Sequence, residues 1–146
     1  MTVGQATRVL LVEDDPDHAD LIQMALKEAV PDAEVTWIDH GTRALRHLER
    51  CAQQQRSPDV VFLDLKLPGH GGIEVLQRLR AQPDLATLPV IVLTSSRAAE
   101  DRQAAEAAGA DRFLVKVFPM ARLGDTLRAA LVGLGARSAP GPESCP

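Results

Sequence analysis

The sequence lacks the basic excess that a nucleic-acid binder needs. Lys and Arg number 16 against 20 Asp and Glu, a formal net charge of −4, so no nucleic-acid partner is expected. Long apolar runs are also missing. None approaches the roughly 18–20 residues of a bilayer span, so no membrane segment is expected. The first apolar stretch, Arg8–Val12, is short and ends in acids, unlike a secretory leader. Cysteine is scarce, with only Cys51 and Cys145. Two thiols so placed make neither a disulfide framework nor a metal knuckle, and they suit a reducing, cytoplasmic setting. What remains is 146 residues at 45% hydrophobic and 25% charged, enough for one globular domain with a proper core.

Short apolar runs alternate with longer helical patterns, and there is no internal repeat. Arg8–Val12, Asp59–Leu63 and Pro89–Leu93 are continuous runs of Val, Ile, Leu and Phe, as strands buried on both faces require. Glu34–Ile38 and Arg112–Val115 are weaker strands. Between them, residues 17–30, 42–50, 73–81, 98–108 and about 120–134 place apolar residues at helical spacing. Pro31 closes the first helix and Gly109 the fourth. The stretch 52–58 reads as a loop, and Trp37 as packing against the sheet edge. Five strands alternating with five helices predict an α/β fold, a doubly wound parallel sheet with helices on both faces. The domain should occupy residues 1–134. The tail 135–146, rich in Pro, Gly, Ser and Ala, is expected to be disordered and too short for an output domain.

The polar residues fall at one edge of that sheet. Ligands of open α/β sheets bind outside the carboxyl ends of the strands. Here the first strand runs into Glu13-Asp14-Asp15, the third into Asp64, the fourth into Thr94-Ser95 and the fifth into Lys116. Carboxylates held about 5 Å apart repel by roughly 3 kcal/mol per pair at an effective dielectric near 20. A cation relieves that cost, and an all-oxygen set favours Mg²⁺ or Mn²⁺ over zinc. A carboxylate beside such an ion can attack phosphorus and form an acyl phosphate, while Lys116 and the Thr94 hydroxyl contact the phosphoryl oxygens. Each residue also has a plain structural use. An Asp pair after a strand often caps the next helix, Thr94 could cap another, and Lys116 could be solvated. The joint placement at four strand ends favours the chemical reading. His18, His40, His47 and His70 are scattered without ligand spacing and read as solvated side chains.

These segments resemble the receiver domain of bacterial two-component response regulators, a CheY-like, flavodoxin-like fold, over about residues 7–134. The match is carried by Val-Leu-Leu-Val-Glu-Asp-Asp (9–15), Asp-Val-Val-Phe-Leu-Asp-Leu-Lys-Leu-Pro-Gly (59–69), Val-Ile-Val-Leu-Thr-Ser (90–95) and Gly-Ala-Asp-Arg-Phe-Leu-Val-Lys (109–116). The resemblance implies that Asp64 is the phosphoacceptor, with Asp14, Asp15, Asp64 and the Lys66 backbone carbonyl holding Mg²⁺ or Mn²⁺. It implies that Thr94 is the switch hydroxyl, Phe113 the switch aromatic and Lys116 the partner of the phosphoryl oxygens. It further implies a histidine kinase as phosphoryl donor and a dimer or docking face on helix 4, strand 5 and helix 5. The polar loop before Ser57 and the absent output domain resemble stand-alone receivers that partner bacterial phytochrome kinases. One departure is Val117, where the family commonly has Pro after the lysine; Pro is delayed to Pro119. A cis bond before Val would cost about 2.5–4 kcal/mol.

Three functions fit such a fold. The first is a phosphorylation switch that catalyses only its own phosphoryl acceptance and loss, and is otherwise no enzyme. The second is a Mg²⁺-dependent phosphatase working through an aspartyl phosphate, which usually needs an acid two residues after the nucleophile; that position is Lys66. The third is a phosphate-independent binding module, against which the intact acids, Thr94 and Lys116 speak. The switch is the expected function.

Overall fold

The apolar runs form strands whose pleat sends alternate residues to opposite faces. In β1 (Arg8–Val12), Val9 and Leu11 turn to one layer and Leu10 and Val12 to the other. The same division holds in β3 (Val60–Leu63), where Val60 and Phe62 oppose Val61 and Leu63, and in β4 (Val90–Thr94). The computed structural model describes residues 7–116 and 120–138, with the side chains of 120, 121 and 132–138 left out. Val117, Pro119 and Cys145 lie outside the described residues.

With β2 (Glu34–Ile38) and β5 (Arg112–Val115) the strands make one parallel sheet in the order β2-β1-β3-β4-β5. The chain leaves β1 toward β2 on one side and returns to β3 on the other. The carboxyl ends of β1 and β3 therefore flank a topological switch point, where such sheets bind ligands. Helices α1 (Pro16–Ala29) and α5 (Met120–Ser138) pack on one face through Ile22, Leu26, Leu123 and Leu127. Helices α2 (Gly41–Gln53) and α3 (Gly72–Ala81) cover the other through Leu45, Leu48, Leu76 and Leu79. Helix α4 (Ala99–Ala108) contributes only Ala105 to a small cluster with Val92 and Phe113. This is the doubly wound α/β sheet expected.

The differences lie at element ends. Helix α2 continues to Gln53, through the stretch 52–53 expected as loop, because Cys51 still faces the core at 8% exposure. Helix α5 reaches Ser138, so residues 135–138 of the expected tail are helical; residues 139–146 are outside the described residues. Trp37 does not bury its ring in the sheet edge. It is 37% exposed, and its indole N–H donates to the Glu13 carbonyl at 2.7 Å.

At the amino-terminal end of the sheet, one arginine holds several segments together. The Arg80 guanidinium, at the end of α3, donates to the carbonyls of Leu85, Ala86, Leu88 and Gly109 and pairs with the Asp111 carboxylate at 3.1 Å. Asp111 in turn accepts from the Val90 backbone N–H at 2.8 Å. Gly109, with φ +105°, ends α4 in the left-handed conformation, and the Arg80 side chain lies 3.0 Å from where a Cβ would sit. Truncating Arg80 takes the guanidinium from these carbonyls and the ion pair from Asp111, which keeps the Val90 N–H, in a part-buried site. Arg80→Ala is expected to cost about 2–4 kcal/mol, measured as a lowered urea midpoint with unchanged far-UV circular dichroism. A loss below about 0.5 kcal/mol, the range of ordinary surface changes, would contradict the linking role.

Candidate functional site

Four strands end at the same edge, and each delivers a polar side chain that the core has buried: Glu13 at 1% exposure, Asp64 at 7%, Thr94 at 0% and Lys116 at 5%. These are the only buried polar or charged residues among those described. The backbone ladder sets their positions. Glu13 donates its N–H to Ile38, Asp64 to Val12 and Lys116 to Thr94, so each follows directly on a paired strand residue.

Lys116 is the centre of the cluster. Its Nζ lies 2.6 Å from Glu13 Oε1 and 3.1 Å from Asp64 Oδ2, and it donates to His18 Nδ1 at 3.0 Å. The other Asp64 oxygen accepts from the Leu65 N–H at 2.7 Å, and more weakly from that of Lys66 at 3.4 Å. The Asp64 carboxylate is therefore fixed on one side by backbone and on the other by an ammonium. Burial pushes the Glu13 carboxyl up to about 7, and the Asp64 charge adds to the rise, while Lys116 works against it.

Asp14 is exposed, at the mouth of the site. One oxygen from each of Glu13, Asp14 and Asp64 falls within 4.8 Å of the others. Three carboxylates with an open side are a donor set that suits Mg²⁺ or Mn²⁺, which retain several waters. The fit is to Glu13, Asp14 and Asp64 rather than to the expected Asp14–Asp15 pair. Asp15 is the N-cap of α1: Oδ1 accepts from the N–H groups of Asp17 at 2.9 Å and His18 at 3.3 Å. Those bonds, that of His18 first, hold its carboxyl below the usual range. The signal was in the sequence, since Pro16 at the first helical position marks the residue before it as the cap. Glu13, missed as a ligand, follows directly on the last residue of β1.

The remaining expected residues fall as follows. Thr94 is wholly buried at the end of β4, and its Oγ1 accepts from the Ser96 N–H at 3.2 Å. Phe113 sits in β5 at 9% exposure, with the Arg102 guanidinium of α4 5.1 Å from the ring centroid. Lys66 is exposed in the loop after Asp64. The histidines are less solvated than expected. Besides His18, the His70 ring bonds Thr42 Oγ1 at 2.8 Å, and the His47 ring contacts Cys51 Sγ at 3.4 Å.

Comparison with known proteins agrees with this geometry. A family model described as the response regulator receiver domain matches residues 9–128. Response regulator Rcp1 of Synechocystis is 37% identical over 95 residues, covering 64% of this chain and 65% of its own. The probable transcriptional regulatory protein TcrX of Mycobacterium tuberculosis is 37% identical over 128 residues, covering 88% of this chain and 51% of its own. The chain thus spans about half to two thirds of the length of these curated relatives. Among solved structures, the phosphorylated cyanobacterial phytochrome response regulator RcpA superimposes with a TM-score of 0.78 at 27% identity, over 86% of this chain and 91% of that one. The Mn²⁺-bound form of Rcp1 does so with a TM-score of 0.73 at 31% identity, over 84% and 90%.

The raised Glu13 pKa has a signed consequence for stability without metal. The folded protein keeps a proton on Glu13 that the unfolded chain releases near 4.5. The protonated carboxyl's contribution is complete below that pH and is lost as pH climbs through about 7. In EDTA, wild type should lose on the order of 3 kcal/mol relative to Glu13→Gln between pH 4.5 and 8, read from urea midpoints. Parallel profiles for the two proteins would show that Glu13 does not titrate in that window.

Proposed function

We propose that this chain, which belongs to the response regulator receiver family, accepts a phosphoryl group on Asp64 from the phosphohistidine of a histidine kinase and changes its partner or dimer contacts in response. The observation that carries this reading is the Asp64 carboxylate itself. It is buried, fixed by the Leu65 N–H, touched by the Lys116 ammonium and flanked by the carboxylates of Glu13 and Asp14. A carboxylate so oriented is a nucleophile held ready for attack.

In the transfer, an Asp64 oxygen forms a bond to phosphorus as the phosphorus–nitrogen bond of the donor breaks, and the imidazole keeps the electron pair and takes up a proton. The backbone N–H of Leu65 keeps the carboxylate from turning. Lys116 follows the negative charge from the carboxylate to the phosphoryl oxygens. Glu13, Asp14 and Asp64, with the Lys66 carbonyl that the family resemblance adds, would hold Mg²⁺ or Mn²⁺, which would neutralise charge on those oxygens. The manganese-bound form of Rcp1 supports a divalent ion in this fold.

The Thr94 hydroxyl then exchanges its Ser96 N–H partner for a phosphoryl oxygen. That shift empties space beneath Phe113, whose ring lies under Arg102, and biases α4, β5 and α5 between two arrangements. This face is the proposed dimer or docking surface. Beyond its own phosphorylation and dephosphorylation the chain turns over no substrate, since Lys66 stands where aspartyl-phosphate hydrolases carry a second acid. The similarity to Rcp1 and RcpA supports a bacterial phytochrome kinase as donor, and hence a cytoplasmic setting.

The test is incubation with acetyl phosphate, with and without Mg²⁺, followed by intact mass. One phosphoryl mass should appear on wild type only with Mg²⁺, and none on Asp64→Asn. Asp14→Asn should weaken Mg²⁺ binding at least tenfold. Thr94→Ala should take up phosphate yet show no phosphate-dependent change at α4 and β5 by amide hydrogen exchange. Phosphoryl uptake by Asp64→Asn equal to wild type would place the acceptor elsewhere.

A further inference from the structure

We propose that the free edge of β2 and the arginine face of α2 form a docking surface for an extended acidic segment of a partner protein, which adds to the sheet as a sixth strand. This surface includes none of the side chains of the Asp64 site, although Trp37 and Ile38 in its lining bond the backbone of Glu13.

Strand β2 is an outer strand of the sheet, and β1 pairs with it on one side only. Glu34 donates its N–H to Thr7, and Ile38 accepts from Glu13, so residues 34, 36 and 38 direct their backbone groups toward β1. By the alternation of a parallel ladder, Val35 and Trp37 direct theirs outward. Those groups are a template for another strand. The edge carries no proline, which would otherwise blunt it.

Beside this edge lies a groove of about 490 Å³ lined by Trp37, Ile38, Asp39 and the α2 residues Arg43, Arg46, His47 and Arg50. The four α2 residues fall at helical positions i, i+3, i+4 and i+7, a single stripe along the helix. Arg43 pairs with Asp39 at 3.4 Å. Arg46 and Arg50 are exposed and, among the described residues, have no hydrogen-bond or ion-pair partner. The acid of the same helix turns away, Glu49 accepting from the Gln82 amide at 3.1 Å. Burial, and then the charges of Arg50 and Arg8, hold the His47 pKa below its usual value, as expected in a locally positive field. On a chain of net charge −4 the groove carries three arginines against the one acid Asp39, while Glu34 lies exposed at the start of β2.

Charge complementarity selects the occupant. Guanidinium groups without partners recognise carboxylates in pairs of hydrogen bonds. Residues two apart on an added strand are about 6.7 Å apart and face the same side. One helical turn, as from Arg46 to Arg50, advances about 5.4 to 6 Å. An extended segment with acids at alternate positions therefore meets the stripe while its backbone bonds the edge. The arginines also exclude a second copy of β2 in this position, because like charges would face one another.

The test is selection of twelve-residue segments from a displayed random library against the full chain, with binding of the winners read by anisotropy. Winners should carry acids at alternate positions and no proline between them. Their affinity should fall at least tenfold in Arg46→Glu/Arg50→Glu and fall with added salt, and backbone N-methylation should abolish it. Asp64→Asn should bind them as wild type does, which separates this surface from the phosphoryl site. Because residues 46 and 50 are exposed, the double variant should keep wild-type circular dichroism and its uptake from acetyl phosphate. Winners without acids, winners unaffected by the double variant or by N-methylation, no winners at all, or self-association through β2 would each overturn the proposal.

Discussion

An ammonium ion between two buried carboxylates organises the reactive end of this protein. Lys116 holds Glu13 and Asp64 in a place from which the core excludes water, and without it two acids would face one another at close range. Such a group of charges is costly to desolvate, and replacing it with apolar side chains would often be neutral or stabilising. Its persistence is better understood as preorganisation. In the proposed transfer the lysine would lie where negative charge accumulates, and the acids would receive a divalent ion. Burial, with the Asp64 charge behind it, raises the Glu13 pKa to about 7 against the pull of Lys116. The site without metal is one positive charge short, and either a proton or a cation makes up the difference.

Most of the fold could be read from apolar runs. β1, β2 and β5 have the bounds expected, and β3 and β4 differ by single residues at their ends. β1, β3 and β4 are legible because burial on both faces leaves almost no position for a polar residue, and the first polar residue announces the end. Helix ends were less legible. Gln53 and Ser138 are helical because nothing in the chain stops the helix earlier, and a polar composition by itself does not end one. The site was legible as a set of strand ends but not as a set of ligands. Two adjacent aspartates drew attention to Asp14 and Asp15, whereas the structure gives Asp15 to the helix and Glu13 to the acidic cluster. Pro16 carries the mark that separates them, because a proline at the first helical position makes the residue before it the cap.

The Arg80 contacts were illegible for a different reason. Its acceptors are mostly carbonyls, three from the segment just after α3 and one from Gly109, and carbonyls carry no signature in the sequence. An arginine near the end of a helix looks like a favourable charge for the helix dipole and nothing more. The clamp and the reactive cluster lie at opposite ends of the sheet. One end is tied by neutral acceptors and a single ion pair, and the other holds its charges close together and unevenly balanced.

Helix α4 touches the rest of the molecule through Ala105 alone as a fully buried side chain, while α3 presents Val75, Leu76 and Leu79. An alanine contributes little apolar area, so the local opening energy of α4 lies near the bottom of the range found within a single domain. With one fully buried side chain against four or five, α4 is held to the core less firmly than α1, α2 or α3. Poor anchorage in this sense is an inherited looseness, retained in an otherwise tightly filled interior. In the proposed switch, a small change at the end of β4 would need to overcome only that shallow contact to be felt on the outside of the protein.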